Sequence, residues 1–259
     1  MDLTEILESL DLGKISVPKA KKLLSLYSVE KIEDFAKMDI SRKLRRGIPE
    51  VIFAEKKEFL DLKKIILTMI SKSDSVLVSR IQKDHYKKIL AFSRRNKLKM
   101  QTGKNTTTIL FFKKLSSTGG KVGILTAGTS DIGVAEEARL MCEAMGCQCV
   151  CSYDVGIAGI HRLFPIVKKM IRGDVDVIIV VAGMEGALAS IISSLVDIPV
   201  IGVPSSVGYG YGEKGVAALA SMLQSCTLGL SVVNIDNGIG AGAFAANVAN
   251  RSVRKKIRP

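Results

Sequence analysis

The chain has 259 residues, of which 47% are apolar and 24% charged, with a formal net charge of +13 and no tryptophan. That composition excludes a disordered chain and supplies core for one large domain or for a small and a medium one. No apolar window is long enough to span a bilayer, and the acidic start "MDLTEILESLDLGK" lacks the basic flank and apolar centre of a signal peptide, so a cytoplasmic location is expected.

The charge is unevenly spread. Residues 1–120 carry 26 Lys/Arg against 14 Asp/Glu, residues 121–250 carry 7 against 11, and the tail "RSVRKKIRP" is basic again. Glycine shifts at the same place, with 5 of 23 before residue 121. Two domains are therefore expected to meet near "SSTGGK", a basic α+β unit over 1–118 and a second unit over 119–259. A basic half invites a nucleic-acid reading. A solvated lysine-rich surface is the plainer alternative, and with 5% aromatic residues stacking platforms are scarce, so nucleic acid is not the expected partner.

In chain order, helical patterns cover Leu3–Leu10, Val17–Leu26 and Val29–Met38, so residues 1–38 are expected to form a helical extension. Strand-like pieces follow at "IPEVIFA", "SVLVSR" and "TTTILFF", with helices near Glu58–Ser71 and Lys83–Phe92. From Lys121 onward, apolar runs alternate with helical patterns five times: "KVGILTAGTSD" with "IGVAEEARLMCEAMG", "CQCVCSYDVG" with "AGIHRLFPIVKKMIRG", "DVDVIIVVAG" with "MEGALASIISSLV", "IPVIGVPSS" with "EKGVAALASMLQSC", and "LGLSVVNIDNG" with "AGAFAANVANR". The Val/Ile runs show no polar alternation, as in strands covered on both faces. Five strand–helix units predict an α/β fold, a three-layer doubly wound parallel sheet of about five strands preceded by the smaller α+β domain.

Ligands of such a sheet bind outside the carboxyl ends of its strands. The loops expected there are "TAGTSD", "SYDVGIAGIH", "AGMEGA", "VPSSVGYGYG" and "NIDNGIGAG". Their candidate substrate-binding residues are Thr129, Ser130, Asp131, Asp154, Gly183, Met184, Gly186, Ser205, Ser206, Gly208, Tyr209, Asp236, Asn237 and Gly238. Glycine lets backbone N–H groups approach a ligand, and N–H groups at helix N-termini suit phosphates. Each loop alone is an ordinary strand-end turn; five converging on one edge point to a small phosphorylated ligand. Glu185, directly after a strand-like run in an apolar stretch, is either a surface accident or a working group, because burying an unpaired carboxylate is costly.

"TAGTSD", "GIHRLFP", "VIIVVAGMEGALAS", "IPVIGVPSS" and "LQSCTLGLSVVNIDN" together resemble the PurE family of aminoimidazole ribonucleotide carboxylases and mutases. The chain more closely resembles the LarB branch, including "DISRKLRRGIPEVIFAEKK" and "SVLVSR", so the likeness runs from about residue 39 to 250. The resemblance implies a PurE/flavodoxin-like fold and an octamer with active sites shared between subunits. It also implies carboxylation of the pyridinium ring of nicotinic acid adenine dinucleotide and hydrolysis of its phosphoanhydride. CO2 would be the co-substrate, with no tightly bound cofactor, no metal assigned to protein ligands, and Mg2+ admitted at the phosphates. An aminoimidazole ribonucleotide enzyme and a non-enzymatic nucleic-acid binder are the alternatives.

Chemistry separates the two enzymatic readings. Aminoimidazole ribonucleotide is an enamine and attacks CO2 unaided, whereas a pyridinium must first accept a nucleophile, for which a thiolate is suited because it adds and leaves readily. Cys226 stands where the PurE pattern has proline, and Glu185 where it has a Gly/Ala-rich loop, so the resemblance makes Cys226 the nucleophile and Glu185 the base. His161 matches the histidine of the PurE "AHR" signature as proton shuttle or phosphate contact, or else caps a loop. Asp131 matches a ribose-contacting aspartate, or is an ordinary N-cap. In one chain Cys226 is expected at the amino edge of the sheet, opposite the other residues, which would give it a role in a neighbour's site unless its loop lies closer to them. Small-residue surfaces "GALAS" and "GAGAFAANVAN" would then allow close contacts between subunits. Cys147, Cys149 and Cys151 alternate along a strand with Cys142 on the preceding helix, which fits buried reduced thiols better than a zinc site.

Overall fold

The computed structural model describes residues 3–24, 30–32, 36–38 and 46–257. Helices α1 (Leu3–Asp11) and α2 (Val17–Leu24) open the chain, as expected. The expected helix over Val29–Met38 is corrected: β1 (Glu30–Ile32) pairs antiparallel with β2 (Ala36–Met38), Glu30 opposite Met38. Among the described residues of 1–38, those of α1 and α2 are helical and those of β1 and β2 extended.

The N-terminal sheet contains β3 (Val51–Phe53), β4 (Ser75–Ser79), β5 (Met100–Thr102) and β6 (Ile109–Phe112) in the order β3-β4-β6-β5. The β3–β4 pair is parallel; β6 runs antiparallel to both neighbours. Helices α3 (Phe59–Lys72) and α4 (Lys83–Arg95) bury Leu62, Ile65, Ile66, Met69 and Ile89 against Ile52, Val76, Val78, Ile109 and Phe111.

The second sheet is wholly parallel: β7 (Lys121–Thr126), β8 (Gln148–Ser152), β9 (Val177–Ala182), β10 (Val200–Pro204) and β11 (Leu230–Val232). Their order, β11-β10-β9-β7-β8, is that of a flavodoxin-like sheet, with the topological switch between β7 and β9. Strand alternation decides the layers. Val177, Ile179 and Val181 face α5 (Ile132–Ala144) and α9 (Gly238–Ile257). Ile178, Val180 and Ala182 face α6 (Leu163–Arg172), α7 (Ala187–Leu195) and α8 (Val216–Leu223). Both faces are thus covered, which is why these strands read as continuous apolar runs.

Helices α5 and α9 cross at very short range. A Cβ on Gly238 would stand 2.2 Å from Val134 O, and one on Gly242 would stand 2.6 Å from Ala138 O. The small-residue stripe of α9, expected to serve contacts between subunits, is thus occupied inside the chain. Buried Cys142 and Cys147 donate across this contact to Gly242 O and Ala246 O. Among the described residues no helix is long and apolar enough to cross a membrane.

The two sheets meet on α5. Glu137 Oε1 accepts hydrogen bonds from Thr108 Oγ1 (3.0 Å), Ser79 Oγ (3.2 Å) and Thr106 Oγ1 (3.4 Å), all from the N-terminal sheet and its loops. Burial pushes the Glu137 carboxyl above its ordinary range, against those three hydroxyls and the nearby Arg80. One residue earlier, Glu136 accepts from Lys104 N (3.0 Å), Arg139 and Tyr153. Burial would raise Glu136, but these donors outweigh it and hold the carboxyl below its usual range. The turn at residues 103–106 sits tightly on the start of α5, since a Cβ on Gly133 would meet Asn105 O at 2.4 Å.

Candidate active site at the carboxyl edge

Because all five strands are parallel, the loops leaving β7 to β11 share one edge, and two of them, 127–131 and 183–186, flank the switch between β7 and β9. Asp131 closes the first of these loops, and its side chain is buried (3% exposed). It makes no cap to the helix that follows. Instead Oδ2 accepts from Gly128 N at 2.8 Å and Oδ1 from Ser205 Oγ at 2.5 Å. Asp131 thus stands at the N-cap position of α5 without a side-chain cap to it, and its bond from Gly128 N closes the turn Thr129–Asp131 that leads into the helix. Burial raises the Asp131 carboxyl above its ordinary range, Asp236 adds to this by repulsion, and the two hydrogen bonds oppose it.

A second set of contacts fixes the neighbouring loops. Asp236 Oδ1 accepts from Ser206 N (2.8 Å), and Met184 N donates to Val207 O (3.0 Å). Gly183 permits the latter approach, since a Cβ there would lie 2.1 Å from Val207 O. Asp154, Met184 and Asp236, each just past a strand end, hold left-handed φ values of 59°, 52° and 54°. Non-glycine residues in that region carry strain, and strain of this kind gathers at functional sites.

The remaining candidates divide clearly. Thr129, Ser130, Ser206, Gly208 and Tyr209 are exposed along the edge. Glu185 is exposed at the tip of the β9–α7 loop, so the fold spares it the cost of burial. His161 is exposed on the 3-10 turn Ile157–Arg162, and Arg162 Nη1 holds Asp154 Oδ2 at 3.1 Å. Gly186 (φ 65°) and Gly238 lie at helix starts packed on α8 and α5, and Asn237 Oδ1 accepts from Gly240 N. Sequence reasoning missed Arg162, adjacent to His161, and Thr126, whose Oγ1 accepts from Asp154 N at 3.1 Å. "GIHR" held the first in plain view, and "TAGTSD" begins on the second.

Cys226 is not gathered with these residues, but neither is it at the far edge. Ser190 Oγ donates to Ser225 Oγ (2.8 Å), and Ser193 Oγ donates to Leu228 O (3.2 Å). Ser190 lies three residues into α7, about 4.5 Å along its axis from Ala187. The Cys226 loop therefore descends along the flank of α7, starting within a turn of the Glu185 loop, with the thiol exposed. The other thiols differ. The hydrogen bond of the Cys142 thiol to Cys149 and burial push Cys142 well up, and burial pushes Cys147 up to about 12 and Cys151 up to about 11. Thiols held protonated are poor nucleophiles. Among the described residues no group of three or more His, Cys, Asp or Glu side chains is placed to hold a metal ion. A concavity of about 610 Å³ lined by Phe164, Pro165, Lys168 and Arg172 lies on the outer face of α6, apart from the Asp131–Ser205 pair.

The AIR carboxylase family model matches residues 121–258, the whole parallel sheet and its helices. The chain belongs to the AIR carboxylase family. A second match, residues 29–109, to the LarB/PurE-like N-terminal domain, covers β3, β4 and β5 and ends on the first residue of β6. An uncharacterized protein of Methanocaldococcus jannaschii is 46% identical over 253 residues, 96% of this chain and 97% of that one. The N5-carboxyaminoimidazole ribonucleotide mutase of Pyrococcus horikoshii is 30% identical over 53% of this chain and 78% of its own length. That of Thermotoga maritima is 28% identical over 49% and 74%. This AIR carboxylase family chain thus joins a carboxylase-type catalytic unit to the N-terminal unit of the LarB/PurE-like kind.

Proposed function

We propose that the protein carboxylates C5 of the pyridinium ring of nicotinic acid adenine dinucleotide and cleaves its phosphoanhydride, giving pyridinium-3,5-biscarboxylate mononucleotide and AMP for nickel-pincer cofactor synthesis. The observation that carries this reading is the union in one chain of the LarB/PurE-like N-terminal domain with the AIR carboxylase domain. An exposed thiol at Cys226 and an exposed carboxylate at Glu185 are the groups a pyridinium substrate requires.

The Cys226 thiolate adds to the ring, and the ring's electron pair moves to make C5 nucleophilic. C5 then forms a C–C bond to CO2. Glu185 takes the C5 proton, and the C–S bonding pair leaves with sulfur, which restores aromaticity. Water cleaves the phosphoanhydride in a separate step. Asp131, held by Ser205 and Gly128, and the Thr129–Ser130 pair would bind ribose and phosphate at the switch between β7 and β9. His161 would contact phosphate or relay the proton. Mg2+, if used, would take its oxygen ligands from the phosphates and water. Cys226 lies to the side of α7, starting near the Glu185 loop, so it would serve the site of its own chain or, in a homo-oligomer that is an octamer by resemblance, that of a neighbour.

A second reading, an aminoimidazole ribonucleotide carboxylase or mutase, is favoured by the mutases matched over the catalytic half. Incubation with each substrate and bicarbonate, read by mass spectrometry, separates the two. Carboxylated mononucleotide and AMP from the dinucleotide support the first. A carboxylated aminoimidazole with untouched dinucleotide sinks it.

A further inference from the structure

The segment between β10 and α8 leaves and returns at one point. Ser205 and Gly215 are both buried, and a Cβ on Gly215 would stand 2.7 Å from Ser205 O. The base of the loop is pinned by Ser206 N to Asp236 and by Val207 O to Met184 N, one residue from Glu185. Past that pin the character changes. The loop reads "GYGYGEKG", with Tyr209 80% exposed and Tyr211 fully exposed. Gly210 holds φ 77° although a Cβ there would meet nothing within 4 Å, so conformation and not crowding asks for glycine. Lys214 is left-handed as well, and its ion pair with Glu213 is long (3.9 Å) and exposed, too weak to fix the loop.

Two phenol rings stand in water on a glycine-hinged loop whose base touches the loop of the candidate base. We propose that residues 208–214 fold over the bound substrate and lay Tyr209 and Tyr211 against its flat pyridinium ring. This rests on the dinucleotide reading above. A cationic ring favours the electron-rich face of tyrosine, which distinguishes it from adenine as the ring to be covered at the Glu185 end. Closure also removes water from the reacting carbon. The two tyrosines thus position and select the substrate's cationic ring.

The absence of tryptophan makes the test clean. Tyr209→Trp and Tyr211→Trp each create a lone tryptophan that can be excited apart from the tyrosines, titrated with nicotinic acid mononucleotide, which carries the pyridinium without adenine, and separately with AMP. Saturable quenching of at least one reporter by the mononucleotide, and not by AMP, is expected. Independently, Tyr→Leu at the responding position should raise KM for the dinucleotide about tenfold, and Tyr→Phe should restore it. Silence of both reporters, quenching by AMP in place of the mononucleotide, or unchanged KM in both leucine variants overturns the clamp. If the unmodified enzyme turns over the dinucleotide while the reporters stay silent, only the clamp falls. If it carboxylates no dinucleotide at all, the functional reading falls and takes the clamp with it.

Discussion

Replacing Ser205 by alanine removes the hydroxyl that donates to buried Asp131 from 74 residues away. One oxygen is lost, so the cavity term is small, and Gly128 N remains as the second donor. What disappears is a single hydrogen bond to a charged group that water does not reach, worth about 2 kcal/mol at neutral pH. For a chain of this size that corresponds to a fall of about 4–8 °C in melting temperature. The loss should depend on pH with a definite sign. Burial first, and Asp236 second, raise the Asp131 carboxyl above its ordinary value of 3.8, and the Ser205 bond counters them. A raised carboxyl gives stability that is complete below the unfolded value and is lost as pH rises through the folded one. Without Ser205 the folded value moves higher still, so the variant loses more on that rise. Urea denaturation of both proteins should show a gap that is open at neutral pH and narrows towards about pH 4. A gap below about 0.5 kcal/mol at neutral pH, or one of equal size in acid, refutes the reasoning.

Cys226→Ser should leave the melt unchanged, since the thiol is exposed, and abolish carboxylation, because an alkoxide is far less accessible than a thiolate near neutral pH; normal turnover by this variant ends the thiolate mechanism. Glu185→Gln should permit ring addition but stall removal of the C5 proton, so a dihydropyridine-like absorbance should build up with little product; unchanged turnover would pass the base role elsewhere. Gly133→Ala drives a methyl into Asn105 O, from which it would stand 2.4 Å, and should cost about 1–3 kcal/mol by displacing the 103–106 turn from α5, read by thermal melting.

The parallel sheet was legible because its strands are covered on both faces, and runs such as Val177–Ala182 leave no ambiguity of period. The order of loops along the carboxyl edge followed from topology alone. The three-residue strands β3 and β11 lay within expected pieces, but β1, β2 and β5 were not legible. β5 is too short to show alternation, and in "VEKIEDFAKM" the spacing of Val29, Ile32 and Ala36 mimics a helix while β1 and β2 pair as antiparallel strands. Contacts between distant residues were invisible for a different reason. Nothing local to Asp131 announces Ser205, and nothing in α5 announces that Glu137 will collect three hydroxyls from the other sheet. The glycines and alanines of α9 gave the right chemistry, close approach, with the wrong partner, since α5 takes that face within the chain. Of the two placements the sequence left open for the Cys226 loop, the structure has the nearer one, because helix α8 ends at Leu223 and its successor loop follows the flank of α7.

Glu137 also bears on the order in which the chain can fold. Ser79 meets it across 58 residues and Thr108 across 29, so a ribosome delivers these hydroxyls well before their acceptor. Until α5 emerges, the N-terminal sheet must leave them to water, and the first unit stays an incomplete foldon whose last hydrogen bonds wait for the second. Once α5 docks, neither unit can open without stranding polar groups of the other. The two sheets should therefore unfold in one cooperative step, and two resolved calorimetric transitions would contradict this coupling.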